Sequence, residues 1–372
     1  MAIAGQPHIL KQYNKNLILH LIFDNKSISK PELAQLSKLS LPTVNKIVDE
    51  LIEERSVIEG DFQANNRVGR RAKTYSFNAV LGTIIILYFI ESSWQGAIID
   101  LNGNILHNKT FSKEFLIKKN TINSIFTIID HLYEHTNNVN AIGIGIPGVV
   151  LSSHEITAVP SLPDLEGINI EHVLAQKYSI PVLVENDVKL MTVGYHSKNM
   201  PNVSNMAYLY AGDGLGAGLI ISNQLYKGYS SFAGEFGYMP SSVDLLYETK
   251  DITTGGSLEN YLSSLGKSTT KPEKEKRSLY VNELSRAIVS ISTVVNPEAV
   301  VIYSNKLNEQ DINRIIEITE GFLPTESVPG IYLTTDDKCG PEGLINLCLQ
   351  KIRPWNKLHE LFDTSARDEY IV

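Results

Sequence analysis

Residues 181–187 read Pro-Val-Leu-Val-Glu-Asn-Asp, an apolar run that stops on three polar side chains. Such a run is a short buried strand, and strand ends are where an α/β sheet exposes its ligand-binding groups. Upstream, residues 141–146 form a second apolar strand ending in Pro147-Gly148. Before it lie expected strands over 82–90, 95–101 and 105–111, with a hairpin turn at Asn102-Gly103 and a helix over 121–135. Downstream, a strand over 206–210 enters a glycine-rich stretch, and 219–221 continues as a strand. Helices over 257–265, 279–295, 309–321 and 341–351 surround a strand over 299–303. Two strand-rich halves with intervening helices predict a bilobal α/β body with a cleft between the lobes.

Three loops carry the chemistry of that body. The first is Glu185-Asn186-Asp187. A carboxylate at a strand end can accept a proton or a hydrogen bond from a hydroxyl, and the same pair also reads as a helix N-cap. The second is Gly212-Asp213-Gly214-Leu215-Gly216-Ala217-Gly218, whose glycines let backbone N–H groups approach a ligand, or simply make a tight hairpin. The third is Ala233-Gly234-Glu235-Phe236-Gly237-Tyr238, with Glu259 further on. Glu235 and Glu259 beside Asp187 would offer several acceptors to a polyhydroxyl ligand.

The first 78 residues read differently. Leu17, Ile18, Leu21 and Ile22 have helical spacing, and Ser29 with Glu32 forms a capping box ahead of Leu33, Ala34 and Leu36. After a break at 37–40, Ser40 caps a further helix with Pro42 in its first turn and Val44, Ile47, Val48, Leu51 and Ile52 along its back. Two short helices around a tight turn make a helix-turn-helix. Thr43, Asn45, Lys46 and Asp49 lie on the outer face, where Thr and Asn reach base edges and Lys46 reaches a phosphate. Val57-Ile58, then Arg67, Gly69, Arg70, Arg71 and Lys73, then Tyr75-Ser76-Phe77 predict a β-wing with a basic tip for the minor groove. A three-helix bundle for protein contacts is the bland alternative.

Charge divides the same way. Of the net −8, residues 1–79 carry +3 and the remainder −11, as fits a nucleic-acid module joined to something else. No run of about 18 apolar residues suggests a membrane span. The first fifteen residues lack the apolar core of a signal peptide. The only cysteines, Cys339 and Cys348, exclude a disulfide framework and a Cys-rich zinc site, and point to a reducing cytoplasm.

Taken as a set, Gly143-Ile144-Gly145-Ile146-Pro147-Gly148, residues 181–187, the 212–218 stretch and Ala233-Gly234-Glu235-Phe236-Gly237 resemble the ROK family (repressors, open reading frames and sugar kinases). The resemblance covers about residues 10–350. The winged helix, with Gly69-Arg70-Arg71 in its wing, is similar to the regulator branch of that family. It implies an N-terminal winged helix-turn-helix over 1–78, followed over 79–372 by an actin-like, hexokinase-type ATPase fold. It also implies sugar contacts from Asn186, Asp187, Glu235, Tyr238 and Glu259, and a homodimer or dimer of dimers on operator DNA.

Departures from the family pattern bear on function. Kinases of the family hold ATP phosphates with an Asp-x-Gly-x-Thr turn; here the matching positions are Tyr88, Ile90 and Ser92, with Glu91 adding negative charge. In the second phosphate turn the usual Thr is Asp213. The family's zinc histidine is Tyr238, Ser257 replaces a zinc cysteine, and Ser161 replaces a sugar-contacting Asn. The expectation is therefore a DNA-binding, sugar-sensing regulator with no catalytic residue, metal or cofactor. An active sugar kinase with an added DNA-binding domain, and a regulator answering to a protein partner, are the alternatives.

Overall fold

The computed structural model describes residues 7–62, 72–112, 120–242, 256–267 and 269–353. The N-terminal module opens with α1 (Pro7–Asp24), the two-residue β1 (Ile28–Ser29), α2 (Lys30–Ser37) and α3 (Leu41–Glu53). Strands β2 (Val57–Phe62) and β3 (Lys73–Phe77) then form a small sheet of order β1-β3-β2. Ser29 closes its capping box with Glu32, and Ser40 accepts from the Thr43 backbone N–H at 3.3 Å, so both helix starts fall where the sequence places them. Ile18, Ile22, Leu33, Val44, Val48 and Leu51 form the module's core. Leu36 does not join it and stands 52% exposed. Arg67, Arg70 and Arg71 lie outside the described residues.

The body contains two five-stranded sheets of the same design. In the first, β4 (Thr83–Ile90), β5 (Ser93–Asp100) and β6 (Ile105–Phe111) run antiparallel. Strands β7 (Val139–Ile146) and β10 (Val182–Asn186) extend it in parallel from the free side of β4, giving β10-β7-β4-β5-β6. In the second, β11 (Met206–Ala211), β12 (Leu215–Ile221) and β13 (Gln224–Tyr226) are antiparallel. Strands β14 (Ala299–Tyr303) and β15 (Gly330–Thr334) add in parallel, giving β13-β12-β11-β14-β15. A short pair, β8 (Val149–Val150) and β9 (Ile156–Thr157), branches off after β7.

Each sheet is covered on both faces, as its near-continuous apolar strands require. Helices α4 (Thr121–Tyr133) and α5 (Ile170–Tyr178) close the outer face of the first lobe. Helices α7 (Ser257–Lys267), α8 (Glu273–Val295) and α9 (Glu309–Phe322) close that of the second. The inner faces are covered crosswise. Helix α6 (Asp187–Asn199) leaves the last strand of the first sheet and packs on the second sheet. Helix α10 (Cys339–Ile352) leaves the second and packs on the first. The two helices cross where Gly194 meets the Cys339 carbonyl and Gly343 meets the Leu190 carbonyl, and a Cβ at either glycine would collide with backbone. This crossing joins the lobes and fixes the start of α6 beside the second sheet.

Candidate functional site

At the N-terminal module, Lys46 is exposed on α3 and Asn45 is half-buried. The Thr43 hydroxyl lies 2.7 Å from the Ser40 hydroxyl, and Asp49 is paired with Lys30 at 2.5 Å. Lys73, at the base of the wing, is paired with Glu59.

In the body, the first loop does both of the things the sequence allows. The Asn186 side chain caps α6, accepting from the Lys189 backbone N–H at 2.9 Å, and donates to the Gly148 carbonyl at 2.8 Å. Its amide also donates to Asp187 Oδ1 at 3.2 Å, and the Val188 N–H donates to the same oxygen at 2.8 Å. Asp187 is thereby aimed, with its other oxygen unused by these bonds. Desolvation, with the nearby charge of Glu235, pushes the Asp187 carboxyl up to about 7, against the opposing pull of the Val188 N–H.

Glu235 follows Gly234, which is left-handed at φ 93° and so tight against β12 that a Cβ would strike the Ala217 carbonyl. The Ala217 N–H donates to the Gly234 carbonyl at 2.7 Å, so β12 fixes the place of Glu235. Glu259 sits in the first turn of α7 and accepts from the Leu215 N–H at 3.2 Å. Burial raises both carboxyls, and at Glu235 the Lys189 ammonium works the other way. Tyr238 ends a 3-10 turn and packs edge-on against Phe232, ring centroids 5.1 Å apart. Burial raises its hydroxyl, helped by the charges of Glu235, Glu259 and Glu166, the last from the other lobe. Asp187, Glu235, Glu259 and Tyr238 therefore share one electrostatic neighbourhood. Ser161 is exposed on a loop of the first lobe.

The glycine-rich stretch divides. Only 212–214 is a turn, whereas Gly216 and Gly218 lie in β12 opposite Tyr210 and Tyr208. Gly218 is needed because a Cβ there would run into Thr192 of α6. These two glycines serve helix packing, while Gly212 and Gly214 border a cavity of about 670 Å³ whose wall includes Glu259, Lys267, Lys274, Arg277 and Lys306. Lys306 donates to the Gly212 carbonyl and stands 3.9 Å from Asp213.

The first hairpin of the body has the shortest possible connection. Ile90 pairs with Ser93, and the two intervening residues, Glu91 and Ser92, are left-handed at φ 47° and 62°, a type I′ arrangement made without glycine. Tyr88 is buried, its ring filling the space beside Gly145 and Gly340 and its hydroxyl 3.4 Å from the Asp187 carbonyl.

Two lysines at the site escape sequence reasoning. Lys227 pairs with Glu185, itself 1% exposed at the end of β10. Lys189 lies fully buried in the first turn of α6, 3.7 Å from Glu235. The signal available was a lysine in an otherwise apolar helix start, where a cation opposes the helix dipole. Among the described residues, no group of three or more His, Cys, Asp and Glu side chains is arranged to hold a metal ion. Nor is any described helix long and apolar enough to cross a membrane.

A family model described as the ROK family matches residues 92–322, and one described as winged helix-turn-helix DNA-binding matches residues 12–55. The chain is 29% identical over 272 residues to the xylose repressor of Caldicellulosiruptor bescii, covering 70% of this chain. That match spans 66% of the relative, just under two thirds of its length. The xylose repressor of Bacillus subtilis (strain 168) is also 29% identical, over 77% of this chain and 75% of its own. That of Staphylococcus xylosus is 25% identical over 87% and 91%. In fold, the chain is similar to a ROK family transcriptional regulator described as a homolog of the E. coli MLC protein. The TM-score is 0.71 at 16% identity, over 95% of this chain and 100% of that one. The ROK hexokinase of Thermus thermophilus superimposes with a TM-score of 0.58 at 14% identity, over 72% of this chain and 99% of that one.

Proposed function

The chain belongs to the ROK family, and from that premise we propose that it is a DNA-binding repressor whose body senses an unphosphorylated sugar without phosphorylating it. What supports this reading is that Glu235, between them, feels the charge of Glu259 and bears on Asp187, three carboxyls from three separate elements, in a chain that also has a winged helix. Carboxylates accept hydrogen bonds from sugar hydroxyls and repel a phosphate in a partly dry cleft. Asn186 and Tyr238 complete the sugar contacts in this reading. Thr43, Asn45 and Lys46, with Arg67, Arg70 and Arg71, contact a roughly palindromic operator. The repressor works in the cytoplasm as a homodimer or dimer of dimers, with its domains meeting near residue 78.

Relatives named xylose repressor make D-xylose the first probe. Titration calorimetry is expected to show binding of D-xylose and none of D-glucose 6-phosphate. In a mobility-shift assay on DNA selected from a genomic pool, D-xylose is expected to release the protein. Tighter binding of the phosphorylated sugar, or DNA binding indifferent to every sugar tried, would overturn the reading.

The cavity beside the glycine turn favours a second reading, a sugar kinase with an added DNA-binding module. Weighing against it are the two-residue hairpin, with Glu91 where phosphates would approach, and the filling of the adjacent space by Tyr88. Phosphoryl transfer depends on positioning and charge stabilisation, which this hairpin does not offer. Sugar-dependent ATP turnover in the calorimetry samples would decide for the kinase.

A further inference from the structure

Lys189 is 0% exposed, in the first turn of α6, with its ammonium 2.5 Å from the Ser231 carbonyl and 3.7 Å from Glu235 Oε1. Lysine is almost never fully buried unless paired, and a cation here opposes the helix dipole. Its retention at this point is costly to the fold, so what it holds is informative.

It holds a strap. After β13 the chain from Lys227 to Tyr238 reaches across to the first lobe. Lys227 pairs with Glu185, and the Ser152 N–H of the first lobe donates to the Ser230 carbonyl at 3.2 Å. Ser231 is left-handed at φ 63°, an unusual state for a residue with a Cβ, and its carbonyl accepts the hydrogen bond that the Lys189 ammonium donates. Glu235 stands near the far end. The charged and titratable groups around it are Lys189 from α6, Glu185 from β10, Glu259 from α7, Asp187, and Tyr238 of its own turn. With Lys227 committed to Glu185, Lys189 is the ammonium set against these carboxylates.

We propose that Lys189 is the positioning and specificity-determining residue of this cleft. Its buried ammonium supplies the countercharge for Glu235 and pins the Ser231 carbonyl, so that the strap presents an anionic hydrogen-bond acceptor to the ligand. The inference rests on the sugar-cleft reading above. It adds a ligand class: hydroxyl donors without positive charge, because the charge of Glu235 is already answered from beneath. An amino sugar gains nothing from that carboxylate.

The test is titration calorimetry with D-xylose across pH 5.5–8.5 on the full chain and on Lys189→Met and Lys189→Arg. Without the ammonium, Glu235 takes a proton more readily, and a protonated carboxyl is a poor acceptor. Lys189→Met is expected to lose affinity on acidification more steeply than the parent, by up to about tenfold more per pH unit. Lys189→Arg is expected to restore the parental profile. A purely structural lysine would shift affinity equally at every pH, and a Lys189→Met profile parallel to the parent overturns the proposal. If Lys189→Met does not fold, Glu235→Gln is added to it. Recovery of folding supports charge pairing, and continued failure overturns it. If the parent binds no D-xylose, the sugar reading falls, and melting temperatures of the two single variants and the double decide Lys189 separately. Coupled losses uphold the pairing and additive losses reject it.

Discussion

Asp187 is a carboxyl whose neutral form the fold prefers. Burial raises it from the ordinary 3.8 to about 7, so between those values the folded chain binds a proton that the unfolded chain does not. Stability contributed in this way is present in acid, declines as pH rises through that window, and is gone above about 7. Asparagine mimics the neutral form and keeps the Val188 and Asn186 contacts to Oδ1. Asp187→Asn is therefore expected to stabilise by roughly 1–3 kcal/mol at pH 8 and hardly at all at pH 4. Thermal melts at the two pH values check this, and a loss of stability at pH 8 would refute the burial argument. A group that costs stability where it stands is held there for another purpose. At this scale Asp187, Glu235 and Glu259 stand out in the sequence, because carboxylates after apolar strands and glycine turns are conspicuous. Lys189 was not legible, because its meaning lies in what packs over it, 42 and 46 residues further along the chain at Ser231 and Glu235.

At the scale of elements, legibility followed amphipathicity. Helices α3, α4 and α9 each bury one stripe and were readable from it. Helix α6 is buried from Val188 to Gly194 on every side, so it has no stripe to read. Strands β1, β8 and β9 have two residues each, too short for any alternation. The glycines divide on the same ground, by what surrounds them. At Gly194 and Gly343 an added methyl meets the backbone of the crossing helix, whereas at Gly321 in α9 nothing lies within 4 Å. Gly194→Ala is accordingly expected to destabilise by about 1–3 kcal/mol, because two packed helices must part. Gly321→Ala is expected to stabilise by roughly 0.5–1 kcal/mol, since it only improves helix propensity. Chemical denaturation of the two variants side by side is the measurement. Equal effects would mean that the helix crossing is looser than its geometry.

On the scale of the whole molecule, the two sheets repeat one topology and exchange their last helices. The sequence showed two lobes but not that exchange, which depends on contacts between α6 and α10 more than 140 residues apart, such as the pair of Lys198 and Glu342. The exchange has a mechanical consequence. Asp187 begins α6, α6 lies against α10, and α10 is capped by Arg353, whose guanidinium stands 4.0 Å from the Phe23 ring centroid at the end of α1. Phe23 in turn packs edge-on against Phe77 of β3, centroids 5.6 Å apart; burial pulls the Arg353 guanidinium down, and the charge of Asp24 offsets part of that. A continuous line of packed contacts thus runs from the start of α6 through α10 to the winged helix. Under the regulator reading, a sugar alters DNA affinity only by binding two arrangements of this route unequally, and the coupling must be reciprocal. The factor by which D-xylose weakens operator binding should equal the factor by which operator DNA weakens D-xylose binding. Arg353→Ala removes the contact at the winged-helix end and touches neither binding surface. It is expected to leave sugar affinity without DNA, and DNA affinity without sugar, within about twofold, while shrinking both coupling factors together toward one. Mobility-shift titrations with and without D-xylose, paired with calorimetry with and without operator, measure all four quantities. If Arg353→Ala responds to sugar like the parent, the signal leaves the body by another path, and the stacking of Arg353 on Phe23 only holds the two modules together.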